Sequence, residues 1–217
     1  MIPYRKRLWA RASADRRMAP RSKGRGRTQA DLTLKITLAG NPGVGKTSLT
    51  RRFVTNTFEE RYISTLGTKL SSKEFAVDDP SRPGTSVTVS AAIWDIMGNH
   101  QFRELLKDAF FMNAAGVLLV CDVNQPETLY DLPQWYEAVA SVAGPNVTVV
   151  VLANKSDQRG PKTIPSSEIE VLCHEFRWPW FETSAKTGAN VEVAFRRVAA
   201  DHLRTLTRPT DAATPVA

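Results

Sequence analysis

Residues 40–48 read GNPGVGKTS, and this stretch sets the architecture expected of the chain. It matches the pattern G-x-x-x-x-G-K-[ST], between an apolar run at 32–40 that predicts a strand and a segment at 45–58 that predicts a helix. A strand, a glycine-rich turn and a helix in this order form a phosphate-binding loop, because the loop N–H groups and the helix N-terminus both face the anion. The alternative is a glycine-rich turn with an incidental lysine.

Single residues of this loop have expected roles. Gly43 and Gly45 allow the backbone to curl so that its N–H groups face the phosphates. Lys46 is expected to reach the β- and γ-phosphates, and the Thr47 hydroxyl can ligate Mg²⁺. The loop therefore predicts a nucleotide bound together with a magnesium ion.

Strand and helix signals alternate through the rest of the chain. The segments 69–77 and 86–95 flank the polar stretch DDPSRPGT and predict a hairpin. The near-continuous apolar runs at 116–122 and 147–154 predict parallel strands that are covered on both faces. A short strand is expected near 180–183, and helices are expected at about 101–113, 126–142, 166–176 and 189–206. The pattern predicts an α/β fold of the P-loop NTPase type, a doubly wound six-stranded mostly parallel sheet with helices on both faces. Its ligand should lie beyond the carboxyl ends of the strands.

The charge of the chain is concentrated at its start. Residues 1–30 hold ten Lys and Arg and one Asp, so their net charge is +9. The whole chain has a net charge of +7, so the remaining residues together carry −2. This composition predicts a basic, disordered extension at 1–30, a folded domain at 31–207 and a disordered tail at 208–217. The extension could contact anionic lipid or nucleic acid. It could equally be a solvated leader, or the chain could begin at Met18.

The apolar segments argue against export and against a membrane span. No run of about 18 apolar residues is present, and the basic start lacks the apolar stretch of a secretory signal. Cys121 and Cys173 lie in apolar segments far apart in the sequence, which favours buried reduced thiols over a disulfide. A cytoplasmic protein is expected, peripheral at a membrane only through a partner or the basic extension.

Two further motifs point to guanine. NKSD at 154–157 follows a predicted buried strand, and the Asp157 carboxylate can accept hydrogen bonds from the guanine N1–H and amine, which adenine does not offer. Asn154 can brace the loop, and the Lys155 stem can cover one face of the base. In TSAKTG at 183–188, the Ala185 N–H can meet the guanine carbonyl oxygen.

The motifs GNPGVGKTS, YISTLGT, WDIMG, NKSD and TSAKTG occur in that order and together resemble the Ras superfamily of small GTPases. RRFVTNTFEERYISTLGT at 51–68 resembles the Rab branch in particular, and the resemblance covers roughly residues 32–206. It implies a molecular switch in which GTP and Mg²⁺ hold two loops in place until GTP hydrolysis releases them. It also implies a monomer that binds GTP and GDP and works with an effector, an exchange factor and an activating protein.

The resemblance assigns further residues by position. Thr65 would close on Mg²⁺ and the γ-phosphate, Asp95 would hold Mg²⁺ through water, and the Gly98 N–H would contact the γ-phosphate. Phe58 would stack on guanine, or would only pack on the core; Tyr62 would cover the phosphates or be solvated. The metal ligands expected are Thr47, Thr65 and Asp95, and the catalytic residues expected are Lys46, Thr65, Gly98 and Asn99. The nucleotide-binding residues expected are Gly40, Gly43, Val44, Gly45, Lys46, Thr47, Ser48, Phe58, Thr65, Gly98, Asn154, Lys155, Asp157, Ser184, Ala185 and Lys186.

Asn99 is the departure from the family that bears most on catalysis. It occupies the place where a Gln orients the attacking water, and its side chain is one methylene shorter. A displacement of about 1 Å can cost roughly 10²-fold in rate, so slow hydrolysis is expected. His100 and Gln101 are the nearest groups that could substitute, although a histidine in a surface loop is commonly only solvated.

Three other departures affect the loops and the membrane anchor. Pro42 removes one N–H donor from the phosphate loop and stiffens it. Met97 replaces a small residue before the switch glycine, and its bulk should restrict that loop. The chain ends RPTDAATPVA without a cysteine, so no prenyl anchor is expected.

Other functions remain open on the sequence alone. A GTP-dependent binding module with negligible hydrolysis shares every binding motif and differs only through Asn99. A nucleic-acid-associated protein would use the basic extension and bind in a salt-dependent manner, without a specific nucleic acid being indicated. NKSD and TSAK argue against an ATPase or a nucleoside kinase.

Overall fold

The computed structural model describes residues 30–60, 65, 67–98, 107–160 and 163–207. The strands are β1 Leu32–Ala39, β2 Thr68–Asp78, β3 Ser86–Ile96, β4 Gly116–Asp122, β5 Thr148–Asn154 and β6 Trp180–Glu182. The helices are α1 Lys46–Thr55, α2 Pro126–Tyr130, α3 Leu132–Ala143, α4 Ser166–Glu175 and α5 Val191–Thr207, with a 3₁₀ turn at Ser156–Gln158. Residues 107–111 are also helical. The predicted tail at 208–217 and the predicted extension at 1–30, apart from Ala30, lie outside the described residues.

The six strands form one sheet in the order β2-β3-β1-β4-β5-β6. Only β2 runs antiparallel to its neighbour, since it is the first strand of the β2–β3 hairpin, and the other pairings are parallel. The chain leaves β1 on one side to reach β3 and on the other to reach β4, so the strand order reverses at β1. This reversal opens a crevice beyond the carboxyl end of β1, where ligands of such sheets bind. The predicted doubly wound, mostly parallel sheet is confirmed.

The core has two parts, one on each face of the sheet. Because strand side chains alternate between faces, Leu118 and Val120 of β4 belong to one cluster, while Leu119 and Cys121 belong to the other. On the first face α1 and α5 meet, and the rings of Phe53 and Phe195 stack with centroids 4.0 Å apart. The second cluster includes buried residues of α3 and α4. Helices therefore cover both faces, as predicted.

The two cysteine thiols are free and buried in the second cluster. Burial raises the pKa of Cys173 to about 12, and it raises the pKa of Cys121 as well. Both thiols are therefore protonated and unreactive at neutral pH. The prediction of buried reduced thiols is confirmed.

Two predicted helix boundaries are wrong. The helix expected at 45–58 ends at Thr55, because Asn56 adopts a left-handed conformation with φ of 54° and donates its N–H to the Arg52 carbonyl. The single helix expected at 126–142 is two helices that meet at Asp131. Pro133 lacks an N–H and cannot donate to a carbonyl in the preceding helix, so α2 does not continue into α3.

The remaining boundaries agree closely with the sequence. The strands predicted at 116–122 and 147–154 are β4 and β5, and the predicted hairpin is β2–β3. Of the helix predicted at 101–113, only the part from residue 107 onward lies among the described residues. No helix in the described part of the chain is both long and apolar enough to cross a membrane.

Candidate functional site

A cavity of about 590 Å³ lies at the carboxyl edge of the sheet, within the size range of small-molecule sites. It collects residues from segments that are far apart in the sequence. Those among the predicted nucleotide-binding residues that line it are Gly43, Gly45, Lys46, Thr47, Ser48, Phe58, Thr65, Gly98, Asn154, Lys155, Asp157, Ala185 and Lys186. The three that do not line it, Gly40, Val44 and Ser184, lie behind its wall and contact residues that do.

Two glycines of the predicted phosphate loop permit close packing. Gly40 has φ of +141°, and a Cβ there would lie 2.2 Å from the Val120 carbonyl oxygen. Gly45 has φ of +102°, and a Cβ there would lie 2.3 Å from Asn154 Nδ2. The loop is thus pressed against β4 on one side and against the NKSD motif on the other, and only residues without a side chain fit.

Lys46 begins α1, and its ammonium is folded back into the loop. Nζ donates to the carbonyl oxygens of Gly40 and Asn41, both at 2.7 Å. Burial lowers the pKa of Lys46 to about 8, although Asp95 acts in the opposite direction. Among the described residues no carboxylate bonds this ammonium, and a desolvated ammonium of this kind is well placed to gain from a polyphosphate.

Three oxygen-bearing side chains meet beside Lys46. The Thr47 hydroxyl donates to Asp95 Oδ2 at 2.5 Å and lies 2.8 Å from the Thr65 hydroxyl. Asp95 is fully buried, and among the described residues its Oδ1 atom has no hydrogen-bond partner. Burial raises the pKa of Asp95, against the opposing influence of the Thr47 hydroxyl, Lys46 and Lys69. A buried carboxylate oxygen with no partner, next to two hydroxyls, fits a hard divalent cation such as Mg²⁺.

The segment after β3 lies against the phosphate loop. A Cβ on Gly98 would lie 2.5 Å from the Asn41 carbonyl carbon and 2.6 Å from Lys46 Nζ, so this position also requires glycine. The Met97 N–H donates to the Gly67 carbonyl at 3.0 Å, which ties the segment to the start of β2. Met97 is half-buried and lines the cavity. The predicted Asn99, together with His100, Gln101 and Tyr62, lies outside the described residues.

Asn154 connects the base-recognition motif to the phosphate loop. Its Nδ2 donates to the Val44 carbonyl at 2.9 Å, and its Oδ1 accepts from the Ala185 N–H at 3.3 Å. Thr183 also donates its hydroxyl to Asn154 Oδ1 at 3.3 Å. Asn154 thus braces the loop as predicted. The Ala185 N–H, predicted to meet guanine, forms a long bond within the protein in this structure.

Asp157 and Lys155 are each held by a neighbour. The Ser184 hydroxyl donates to Asp157 Oδ1 at 2.6 Å, which fixes the orientation of the carboxylate. Lys155 adopts φ of 66°, and its Nζ lies 2.7 Å from Oδ2 of the buried Asp122. Asp122 ends β4 and pairs directly with Asn154 of β5. Because parallel strands end at the same edge of a sheet, the sequence could have predicted that Asp122 lies next to the NKSD motif. The contact between Asp122 and Lys155 was not predicted.

Phe58 has features of both roles left open for it. It lines the cavity, and it also packs, half-buried, against the cluster of α1 and α5.

Two other residues, which the sequence did not predict, hold the loops through contacts with residues far away in the sequence. Asn41 is buried in the phosphate loop, where its Nδ2 donates to Asp131 Oδ2 at 2.6 Å and its Oδ1 accepts from Trp135 Nε1 at 2.8 Å. Arg52 of α1 donates Nε to the Ala185 carbonyl at 2.7 Å and one terminal nitrogen to the Lys186 carbonyl at 2.5 Å. The partners are 90 or more residues apart, so no local pattern signals these contacts.

Comparisons with known proteins identify a family model and curated proteins that are similar to this chain. The model of the Ras family matches residues 35–204. The chain is 31% identical over 192 residues to the Ras-related protein RABE1d of Arabidopsis thaliana. The aligned residues cover 88% of this chain and 85% of that protein. It is also 31% identical over 168 residues to the Ras-related protein rab-11.1 of Caenorhabditis elegans, covering 77% of this chain and 76% of the relative.

Proposed function

The chain belongs to the Ras family of small GTPases, and on this premise we propose that it is a switch that binds GTP and GDP with Mg²⁺ and hydrolyses GTP slowly. Family membership alone makes it a GTP-binding protein of the Rab-like kind. One observation carries the assignment of residue roles around the nucleotide. A single cavity of about 590 Å³ gathers the phosphate loop together with residues of NKSD and TSAKTG.

At the phosphate end, Lys46 is assigned to the β- and γ-phosphates. Its ammonium already points into the loop, where the carbonyls of Gly40 and Asn41 accept from it. Phosphate oxygens would be stronger, charged acceptors for the same nitrogen. The Gly98 N–H is assigned to the γ-phosphate, which is consistent with the close approach of Gly98 to Lys46 Nζ.

Thr47, Thr65 and Asp95 are the residues that would hold Mg²⁺. Their oxygens are hard donors of the kind that this ion prefers, and the unpartnered Oδ1 of buried Asp95 supports the assignment. When bound, Mg²⁺ would neutralise charge on the phosphates. Thr65 would join only in the GTP state, because its segment is ordered by the γ-phosphate in such switches.

At the base end, Asp157 is assigned to guanine. Its carboxylate is fixed by Ser184, and two hydrogen bonds from guanine to one carboxylate would exclude adenine. Lys155, held by Asp122, is assigned to cover the base from one side. Phe58, which lines the same cavity, is assigned to the other.

Slow hydrolysis is proposed because of Asn99. The loop, Lys46 and the metal ligands supply the electrostatic stabilisation that carries most phosphoryl-transfer catalysis. What the shorter Asn99 amide would lack is reach toward the attacking water. The reaction is therefore expected to be slow and still present.

Two measurements test this function. Competition against labelled GDP should show displacement by GTP and GDP and not by ATP, and Thr47→Asn should favour GDP over GTP or leave the site poorly occupied. Single-turnover hydrolysis of bound GTP should then give a slow, measurable rate. Tight GTP binding with no hydrolysis would instead identify a GTP-dependent binding module. Equal affinity for ATP and GTP would contradict the function as a whole.

Family membership also implies regulators and effectors in general. A pull-down that compares the protein loaded with a GTP analogue and with GDP would identify the partners that read its state. A partner retained equally by both forms would not be an effector of the switch.

A further inference from the structure

Lys69 lies directly across the hairpin from the carboxylate assigned to the metal. In the antiparallel pairing of β2 with β3, Lys69 is the partner of Asp95. Residues directly opposite in such a pair project to the same face, with Cβ atoms about 4.5–5.5 Å apart. A basic side chain therefore lies on the face of the sheet that carries Asp95.

The cavities lead to the same placement. Lys69 lines the large cavity together with Thr47 and Thr65. It also lines a second, smaller cavity of about 60 Å³ together with Thr47 and Asp95. It is an exposed residue, so its amino group is hydrated and can turn toward charge in the site.

The Lys69 charge is not committed to another residue of the described chain. Among the described residues, no carboxylate lies within ion-pair distance of its amino group. The neighbouring cation Arg51 is different, since it lies 2.6 Å from Glu59. Lys69 does act on Asp95 at longer range, because it counters the effect of burial on the pKa of that carboxyl.

A positive charge in this place has opposite effects on the two ligands of the site. It attracts the negatively charged phosphates directly and repels Mg²⁺. We propose that Lys69 sets how strongly nucleotide retention depends on Mg²⁺, by partly substituting for the charge of the ion and lowering the affinity for it. The role rests on the metal assignment made above, and it makes Lys69 a positioning residue that does not ligate the ion.

The consequence is a measurable coupling between metal and nucleotide. Because linkage is reciprocal, whatever weakens Mg²⁺ binding to the nucleotide complex also reduces the gain in nucleotide affinity that Mg²⁺ brings. Removing Lys69 should therefore speed nucleotide release more in the absence of metal than in its presence. A general loss of structure would speed release in both conditions and leave their ratio unchanged.

The experiment measures release of fluorescent GDP from the full chain in excess chelator and in saturating Mg²⁺. The ratio of the two rates should rise about three- to tenfold in Lys69→Met, the range expected for one partly screened charge near a divalent ion. Lys69→Arg keeps the charge and should retain the wild-type ratio. Arg82→Met removes the same charge from the far end of the same hairpin, beyond the screening distance, and should also retain it.

The outcomes separate this role from the proposed function. An unchanged ratio in Lys69→Met, or an equal rise in Arg82→Met, would overturn the role of Lys69 and leave the metal site standing. Identical release with and without chelator in the wild type would overturn the metal assignment, and the role of Lys69 with it. A lower ratio in Lys69→Met would show that the ammonium supports the ion and would also contradict the role.

Discussion

Asp157 is the residue to which we assign base selectivity, and its carboxylate is oriented by the Ser184 hydroxyl at 2.6 Å. Asp157→Asn should weaken GTP and GDP together by about 10²-fold or more, because two charge-assisted hydrogen bonds are lost or inverted. Affinity for xanthine nucleotides should rise at the same time, and competition against labelled GDP measures both effects. Ser184→Ala, the control, should lower affinity without changing the preferred base.

Asn99 limits the chemistry if the reach of its amide is the defect. Asn99→Gln should raise single-turnover hydrolysis by about tenfold, and Asn99→Ala should lower it if the short amide contributes. Met97, which is half-buried at the edge of the cavity, can blunt the gain, so the double variant Met97→Ala with Asn99→Gln is the fuller test. An unchanged rate in all three variants would make Asn99 a spectator.

Residues within contiguous motifs were predictable, and residues that act across the fold were not. The phosphate loop and NKSD each occupy a few consecutive positions, so a pattern was enough to predict that they lie at one site, and both line the same cavity. Asn41 is buried by contact with Asp131 and Trp135, which are about 90 positions away, and no local signal announces that contact. Lys69 and Asp95 are opposite only in one register of the hairpin, which the structure supplies.

The turn that follows β1 depends on a glycine that cannot be replaced. Gly40→Ala should destabilise the protein by about 2 kcal/mol or more, since a Cβ would meet the Val120 carbonyl oxygen at 2.2 Å and the backbone would have to move. Urea unfolding measures the loss. Gly160→Ala is the control, because a Cβ there would meet open space. Equal stability of the two variants would contradict the packing described for the loop.

Helix α3 supports the phosphate loop from outside the cavity. Trp135→Phe removes the indole N–H and leaves the buried Asn41 Oδ1 without that donor, at a cost of about 1–3 kcal/mol. The loop should loosen, and GDP release should become faster. Trp178→Phe makes the same change in a buried indole that stacks on Phe176 and meets Tyr136 edge to face, and it should leave GDP release unchanged. Equal release rates in the two variants would mean that α3 does not support the loop.

Element types were predicted better than element ends. Strands β4 and β5 are buried along their whole length, so their apolar runs marked their limits to within a residue. The end of α1 was misjudged because apolar spacing continues through Phe58 while the backbone turns at Asn56. Pro133 indicates the division between α2 and α3. The apolar periodicity continues on both sides of it, however, and this favoured the prediction of one continuous helix.

At the scale of the whole molecule, the described core begins with β1. Among the described residues, which begin at Ala30, the first member of a core cluster is Leu32. Just before it, Asp31 ties the chain to β3, since its Oδ2 accepts from the Thr88 N–H at 2.8 Å. Deleting residues 1–30 should leave folding and GTP binding intact, because their basic composition lacks a core-forming pattern. Thermal unfolding with bound nucleotide checks this, and a large fall in the midpoint would show that the extension packs on the domain.

Arg52 mechanically couples α1 to the base-recognition loop through its hydrogen bonds. Its guanidinium leaves the helix behind the phosphate loop and bonds the Ala185 and Lys186 carbonyls of the base-recognition loop, while another nitrogen bonds the Asn56 carbonyl at 3.1 Å. One side chain thus connects α1, which follows the phosphate loop, to the base-recognition loop at the other end of the cleft. Outward displacement of the base-recognition loop would therefore pull on α1 through Arg52. A partner that opens the base end of the cleft would in this way also displace the helix that follows the phosphate loop.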